Sequence, residues 1–301
     1  MRRWIMGARL RTLPAGICPP AGAFLLTLGL NFGSLRPRSV LEAVFCILTA
    51  LFIQLFANFA NDYSDGLRGT DDERNLPEGQ SRGQPRLLAS GLATCGELKA
   101  ACAICAALGA VCGIAACAIA ADFWFLLVGA VCIAAGWFYV GGKRPYGYMA
   151  LGELSVLIFF GFIDTMGTGF LIAQSSRVPF DAASFAVLSI AFGLSGASIL
   201  AVNNFRDRKS DKEHGKMTLA VWLGQSYAFF IPIFLFFSAL SFCFLLGYYR
   251  LPPLVLPYAA CDLALIFLSC RAVIKKNWKR AMRLLSFRFL LICAFLALAL
   301  A

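Results

Sequence analysis

The chain has 301 residues, of which 60% are hydrophobic and only 14% are charged, and its formal net charge is +11. A water-soluble domain of this length has roughly 25% charged residues. The composition therefore excludes an ordinary soluble domain and predicts an all-α, polytopic membrane protein. We interpret residues 1–301 as a single membrane-embedded domain.

Nine apolar runs are long enough to cross a bilayer, which takes about 20 residues of helix. We place them at residues 13–30, 40–62, 96–119, 121–141, 150–173, 182–204, 221–248, 254–271 and 284–301. The third and fourth runs almost touch, so we expect a tight hairpin turn at Ala121 and Asp122.

Lysine and arginine are distributed unevenly between the loops on the two sides of this predicted bundle. If the N-terminus is cytoplasmic, the outer loops contain only Arg36, Arg38, Arg177 and Arg250, and the inner loops contain most of the other basic residues. The positive-inside rule therefore predicts a cytoplasmic or inner-membrane protein with its N-terminus inside and its C-terminus outside. Because the charges are split among short loops, we expect membrane lipid as a partner and no nucleic acid.

A first polar cluster closes the second apolar run. Asn58, Asn61 and Asp65 are spaced i, i+3 and i+7, and Asp62 follows Asn58 by four residues, so a helix would place all four on one stripe. Asp71 follows in a polar loop. Carboxylate oxygens suit Mg²⁺, which usually shares its ligands with substrate phosphates. The cluster therefore predicts a divalent-metal and diphosphate site at the membrane surface.

A matching cluster closes the sixth apolar run. Asn203, Asp207 and Asp211 follow one another at intervals of four, so one helix face presents an amide and two acids. Lys212 and Lys216 come directly afterwards, as expected where a diphosphate must be neutralised. For a single Asp, an ordinary charge at a helix end is the favoured interpretation. Two matched Asn-x-x-x-Asp units in the two halves of the chain favour a shared functional site.

Both clusters resemble the aspartate-rich motifs of UbiA-superfamily intramembrane prenyltransferases: residues 61–71 read NDYSDGLRGTD, and residues 203–211 read NNFRDRKSD. Three further stretches, at 8–14, 139–148 and 151–168, are most similar to the branch that prenylates 1,4-dihydroxy-2-naphthoate in menaquinone synthesis. The resemblance covers roughly residues 4–225. It implies a UbiA-type helical bundle with both motifs at the cytoplasmic face.

The resemblance also implies a reaction, in which a polyprenyl group passes from polyprenyl diphosphate to dihydroxynaphthoate with loss of carbon dioxide and diphosphate, giving demethylmenaquinol. It implies Mg²⁺, with Mn²⁺ as an alternative, on the ligands Asp62, Asp65, Asp71, Asp207 and Asp211. The implied catalytic residues are Asn61, Asp62, Asp65, Asn203, Asp207, Asp211 and Tyr139. The diphosphate is expected to contact Lys143, Arg144, Arg206 and Lys212. Acceptor binding or a salt bridge is assigned to Arg11 and Asn58.

Two alternatives remain open from the residues alone. The segment 86–91 is partly similar to the arginine-containing loop of the 4-hydroxybenzoate branch, and Asp164 stands where the naphthoate branch is usually apolar. A prenyltransferase for 4-hydroxybenzoate or another aromatic acceptor is therefore the alternative within the superfamily. A secondary transporter is the alternative of another class, although its polar residues would lie near the membrane midplane and not at one face.

Overall fold

The computed structural model describes residues 2–31, 33–69, 86–248 and 252–299. In chain order its helices are α1 (Arg2–Gly7), α2 (Leu13–Leu30), α3 (Arg38–Leu67), α4 (Cys95–Ala120), α5 (Phe125–Val140), α6 (Gly152–Ser176), α7 (Ala182–Glu213), α8 (Leu219–Tyr248), α9 (Pro252–Ile274) and α10 (Trp278–Leu298). These described ranges contain no strand, only one isolated bridge between Met149 and Met217.

Most of these helices can cross a membrane. Among the described residues, eight are long and apolar enough, namely α2–α4 and α6–α10, and α5 is a shorter apolar helix of 16 residues. Each of the nine predicted runs corresponds to one helix, and the predicted all-α membrane fold is confirmed. A helix satisfies its own backbone hydrogen bonds, so it can continue into the polar region beyond an apolar run.

The acid motifs lie on such continuations. Helix α3 ends at Leu67, five residues after the predicted end at 62, and α7 ends at Glu213, nine residues after the predicted end at 204. Asp65 is therefore part of α3, and Asp207 and Asp211 are part of α7. Their helical spacing, expected from the sequence, is retained in the structure.

Local polar side chains set several helix ends. Thr94 and Glu97 form a capping box at the start of α4, in which each side chain accepts a hydrogen bond from the other residue's N–H. The Asn277 side chain accepts from the Arg280 N–H, so α10 begins at Trp278 and not at the predicted residue 284. Lys279, Arg280 and Arg283 therefore lie on α10, in a region that the apolar runs predict to be a loop.

The apolar core has two main parts. One lies among α2, α7, α8, α9 and α10 and contains fully buried rings of Phe185, Phe192, Tyr227, Phe242, Tyr258 and Phe289. The other lies among α3, α4 and α5 and includes Phe56, Phe59 and Leu98. Both parts make the helices a packed bundle, which fixes the positions of the helix ends.

Helix α6 approaches α7 more closely than side chains would ordinarily permit. A Cβ on Gly161 would lie 2.7 Å from the Ser189 carbonyl oxygen and 3.0 Å from Gly193 Cα. The segment Leu157–Ile163 of α6 is π-helical at this contact, a widening of the helix that is often found near functional sites. Small residues therefore let the two backbones touch.

One end of the bundle is joined by contacts between loops and helix ends. Arg68, which follows α3, donates hydrogen bonds to the carbonyl oxygens of Val140 and Gly142 at the end of α5, the latter at 2.7 Å. The Ala150 N–H, before α6, donates to the Met217 carbonyl oxygen before α8, at 2.9 Å. The ends of α3, α5 and α7 and the starts of α6 and α8 therefore surround one region.

Candidate active site

The two acid motifs meet in this region. Lys216, in the turn after α7, places its Nζ 3.4 Å from Asp65 Oδ2 and 3.9 Å from Asp211 Oδ1. Both acids are buried, with 5% of Asp65 and 4% of Asp211 exposed. Because Asp65 belongs to α3 and Asp211 to α7, this lysine links the motifs from the two halves of the chain.

Tyr148 completes the surroundings of Asp65. Its hydroxyl donates a hydrogen bond to Asp65 Oδ1 at 2.7 Å, and the Lys216 ammonium lies 5.2 Å from the centre of its ring. Burial and the charge of Asp65 raise the pKa of Tyr148 to about 12, so the phenol keeps its proton at neutral pH. Burial alone would lower the pKa of Lys216, but Asp65 and Asp211 outweigh it and raise that pKa above its ordinary value.

The backbone of the turn determines where Lys216 lies. Its N–H donates to the Asp211 carbonyl oxygen at 2.7 Å. Gly215 makes the turn with a φ of 70°, a conformation that costs little without a Cβ. Thr218 then caps α8 by accepting from the Val221 N–H at 3.3 Å. The lysine is therefore held between two ordered helix ends.

Asp207, one turn before Asp211, pairs with its neighbour. The Arg206 guanidinium contacts both carboxylate oxygens of Asp207, with Nε to Oδ1 at 2.7 Å and Nη2 to Oδ2 at 2.6 Å. Arg206, which was predicted to contact the diphosphate, is thus ion-paired with Asp207, which was predicted to bind the metal. Three other basic residues were predicted to contact the diphosphate. They are exposed at the same end of the bundle: Lys143, Arg144 and Lys212.

Asp62 lies in a different environment from Asp65. Its Oδ1 is 3.1 Å from Arg9 Nη2 and 3.3 Å from Arg86 Nη1, and its Oδ2 accepts the Leu87 N–H at 3.2 Å. It is only 1% exposed. Asp62 therefore fastens the N-terminal segment, and the segment that begins at residue 86, to α3. A salt bridge or acceptor binding was predicted for Arg11. Arg9 makes the salt bridge to Asp62, and acceptor binding by Arg11 stays a prediction.

Asn58 takes part in the same anchoring. Its Nδ2 donates to the Ala8 carbonyl oxygen at 3.0 Å and to Thr12 Oγ1 at 3.3 Å. Gln54 donates to Asn58 Oδ1 at 3.2 Å. These bonds hold the segment between α1 and α2 against α3, one turn before Asp62.

The remaining predicted residues are distributed around the same region. Tyr139, near the end of α5, packs edge-on against Tyr146 with ring centres 5.4 Å apart. Three other residues that were predicted to belong to the site are half-buried: Arg11, Asn61 and Asn203. Asp71 lies outside the described residues.

A further buried polar cluster, missed by the sequence reasoning, lies beside this site. The Asn204 side chain donates to Glu153 Oε1 at 2.9 Å, and the Tyr227 hydroxyl donates to the same oxygen. The cluster joins α6, α7 and α8. No local pattern indicates this cluster, because Asn204 and Tyr227 are distant from Glu153 in the sequence.

The donor set suits a magnesium ion that is shared with phosphate. Within the described ranges, no three acidic, histidine or cysteine side chains form a ready-made metal site. Mg²⁺ is usually held by one or two carboxylates together with water and substrate phosphates. Asp65 and Asp211, joined through Lys216, supply such carboxylates, and phosphate oxygens would complete the coordination.

Comparison with known proteins decides the family. A sequence profile of the UbiA prenyltransferase family matches residues 22–296. The chain belongs to this family. It is 39% identical over 225 residues to a 1,4-dihydroxy-2-naphthoate octaprenyltransferase of Mycobacterium tuberculosis, across 74% of this chain and 70% of that protein. It is 36% identical over 229 residues to the Escherichia coli protein of the same name, across 74% and 68% of the two chains.

Solved structures show the same fold. An apo UbiA homologue from Aeropyrum pernix K1 has a TM-score of 0.70 at 16% identity, covering 96% of this chain and 98% of that one. A UbiA homologue from Archaeoglobus fulgidus bound to DMAPP and Mg²⁺ has a TM-score of 0.61 at 13% identity, covering 99% of each chain. The UbiA-type fold is confirmed, and the chain is an integral membrane prenyltransferase.

Proposed function

We propose that the chain transfers a polyprenyl group from polyprenyl diphosphate to 1,4-dihydroxy-2-naphthoate, releasing carbon dioxide and diphosphate. The observation that carries the proposal is the contact of Lys216 with Asp65 and Asp211, because it brings both acid motifs to one site. The names of the Mycobacterium tuberculosis and Escherichia coli relatives support the acceptor. The Archaeoglobus fulgidus homologue, bound to DMAPP and Mg²⁺, supports a prenyl diphosphate donor and a divalent ion.

Three buried acids, Asp65, Asp207 and Asp211, would hold Mg²⁺ or Mn²⁺ in this site. The metal, when bound, neutralises diphosphate charge and makes it a better leaving group. Arg206 and Lys216 are placed to neutralise the departing diphosphate. The C–O bond of the donor breaks and diphosphate leaves, a C–C bond to the ring forms, and the ring carboxylate leaves as carbon dioxide, with no net loss of a ring proton. The apolar bundle holds the polyprenyl tail and keeps water from the allylic cation.

The site is proposed to face the cytoplasm, with the N-terminus inside and the C-terminus outside. Lys212, at the site, and Arg177, at the end of α6 away from it, are both exposed. After accessible native cysteines are replaced, Lys212→Cys in intact cells should resist an impermeant thiol reagent, whereas Arg177→Cys should react. Permeabilisation should make both react. Labelling of Lys212→Cys in intact cells would show that the orientation is reversed.

The acceptor is expected to be the two-ring acid. A pocket shaped for naphthoate loses up to about 0.8 kcal/mol for each missing methylene-sized carbon, and an aromatic carbon is smaller than a methylene. Because 4-hydroxybenzoate has four fewer ring carbons, it forfeits about 2–3 kcal/mol of burial. We expect a preference of roughly 30- to 150-fold in kcat/KM, measured by mass spectrometry of products from membranes given a polyprenyl diphosphate and either acid. Membranes without the protein provide the background.

Equal or better use of 4-hydroxybenzoate would contradict the acceptor and leave prenyl transfer intact. The segment 86–91 suggested the 4-hydroxybenzoate alternative because it contains an arginine. That arginine, Arg86, is ion-paired with Asp62. Membership of the family also favours an enzyme over a secondary transporter. Release of pyrophosphate that depends on the aromatic acceptor would exclude the transporter directly.

A further inference from the structure

Lys216 contacts both acid motifs, and its side chain is enclosed. Its Nζ lies 3.4 Å from Asp65 Oδ2, 3.9 Å from Asp211 Oδ1 and 5.2 Å from the centre of the Tyr148 ring. Only 15% of this side chain is exposed. By contrast, Lys209, on the last turns of α7, is exposed to solvent. Lys216 and Lys209 therefore carry the same charge, one enclosed beside the two acids and the other exposed to solvent, so Lys209 can serve as a control.

The turn that carries Lys216 is attached on both sides. The Lys216 N–H is bonded to the Asp211 carbonyl oxygen, and the Ala150 N–H is bonded to the Met217 carbonyl oxygen. The ammonium can therefore leave the acids by rotation of its flexible four-carbon side chain, without displacement of the turn. Lysine suits this task because it acts as a movable point charge.

We propose that Lys216 is an internal counter-cation that joins the two motifs before metal binds, that the metal displaces it from Asp65 and Asp211, and that it then binds the diphosphate. The inference rests on the proposed function, because it requires a metal–diphosphate site at these acids. Two buried carboxylates repel each other, and an ammonium between them removes that repulsion. A divalent ion on the same carboxylate oxygens repels the ammonium in turn.

This competition has a consequence for substrate binding. Metal alone must displace Lys216 and binds weakly, whereas metal with diphosphate offers the displaced ammonium a new anionic partner. Metal and diphosphate therefore strengthen each other's binding, and the coupling is reciprocal. Lys216 makes the site favour the complete metal–diphosphate complex over free metal.

The first test uses the unaltered, purified protein and an amine-acetylating reagent. Peptide mass spectrometry would compare acetylation of Lys216 with that of exposed Lys209 in EDTA, in Mg²⁺, and in Mg²⁺ with inorganic pyrophosphate. We expect Lys216 to be protected in EDTA, exposed by Mg²⁺ alone and protected again when pyrophosphate is added. Constant acetylation of Lys216 in all three conditions, with Mn²⁺ binding detected separately, would overturn the inference.

The second test uses Lys216→Met and Lys216→Arg, with Lys209→Met as the matched loss of one charge. Electron paramagnetic resonance of Mn²⁺ would report metal binding to the full chain. Lys216→Met should bind Mn²⁺ alone about tenfold more tightly, as 1.4 kcal/mol of removed repulsion would give. It should bind Mn²⁺ with pyrophosphate less tightly than the unaltered protein. Lys216→Arg and Lys209→Met should stay near the unaltered protein in Mn²⁺ binding.

The outcomes separate this inference from the function on which it rests. If the unaltered protein binds Mn²⁺ and Lys216→Met binds it no more tightly, the counter-cation role is wrong and the proposed function stands. If the unaltered protein binds neither Mn²⁺ nor pyrophosphate, the proposed function and the inference are both wrong. The acetylation test needs no variant, so it decides the matter even if Lys216→Met does not fold.

Discussion

Asp65→Asn and Asp207→Asn are each expected to lower prenyl transfer by at least about 100-fold, equivalent to about 2.7 kcal/mol of transition-state stabilisation. Each substitution keeps the shape of the side chain and removes the negative charge that would hold a divalent ion. Asp65→Asn also weakens the contact with Lys216, and Asp207→Asn leaves Arg206 without its paired carboxylate. Turnover would be measured at saturating Mg²⁺ and both substrates.

Asp122→Asn is the matched control, because Asp122 lies in the turn between α4 and α5, away from the site, and accepts a hydrogen bond from the nearby Trp124 N–H. It should retain the turnover of the unaltered protein. EDTA should abolish transfer in the unaltered protein, and added Mg²⁺ should restore it. Near-normal turnover by Asp65→Asn would show that Asp65 holds no metal, and full activity in EDTA would refute the metal mechanism altogether.

Asp262→Leu is expected to lower the free energy of unfolding by about 3–5 kcal/mol, because it leaves the buried Arg288 charge uncompensated. Asp262 and Arg288 are fully buried and form two hydrogen bonds, with Nε to Oδ1 at 2.5 Å and Nη2 to Oδ2 at 2.6 Å. Tyr258 donates to Asp262 Oδ2 at 3.3 Å, and Arg288 donates to the Leu235 carbonyl oxygen at 3.2 Å. The pair therefore joins α8, α9 and α10.

The double variant Asp262→Leu with Arg288→Met should be more stable than Asp262→Leu alone, because it removes both buried charges. Thermal and denaturant unfolding in detergent would compare these proteins with Glu97→Gln, which breaks the exposed Arg3–Glu97 pair. That surface change should leave the melting temperature almost unaltered. Equal stability of the single and double variants would show that Arg288 finds another partner and that the pair is not the source of the effect.

The sequence by itself determined the membrane class, the nine apolar runs and the helical spacing of both acid motifs. These features are local: an apolar run of sufficient length predicts a membrane helix, and residues four apart share a helix face. The two motifs also indicated the family, which the profile match to residues 22–296 confirms. Helix ends were less well predicted, since caps such as Asn277 start a helix outside its apolar run.

Only the tertiary structure decided which charges meet. Asp65, on α3, and Lys216, in the turn after α7, are 151 residues apart, so no local periodicity could join them. Asp62 and Asp65 lie three residues apart in one motif and were both predicted to be metal ligands. In the folded bundle their partners differ, since Asp62 pairs with Arg9 and Asp65 with Lys216. Asp262 lies outside the stretch that resembles the family, so the sequence assigned it no role, although acids inside membrane spans are often functional. Packing brought Arg288 against it and made the pair a structural contact, because a buried charge needs a partner that only the folded bundle supplies.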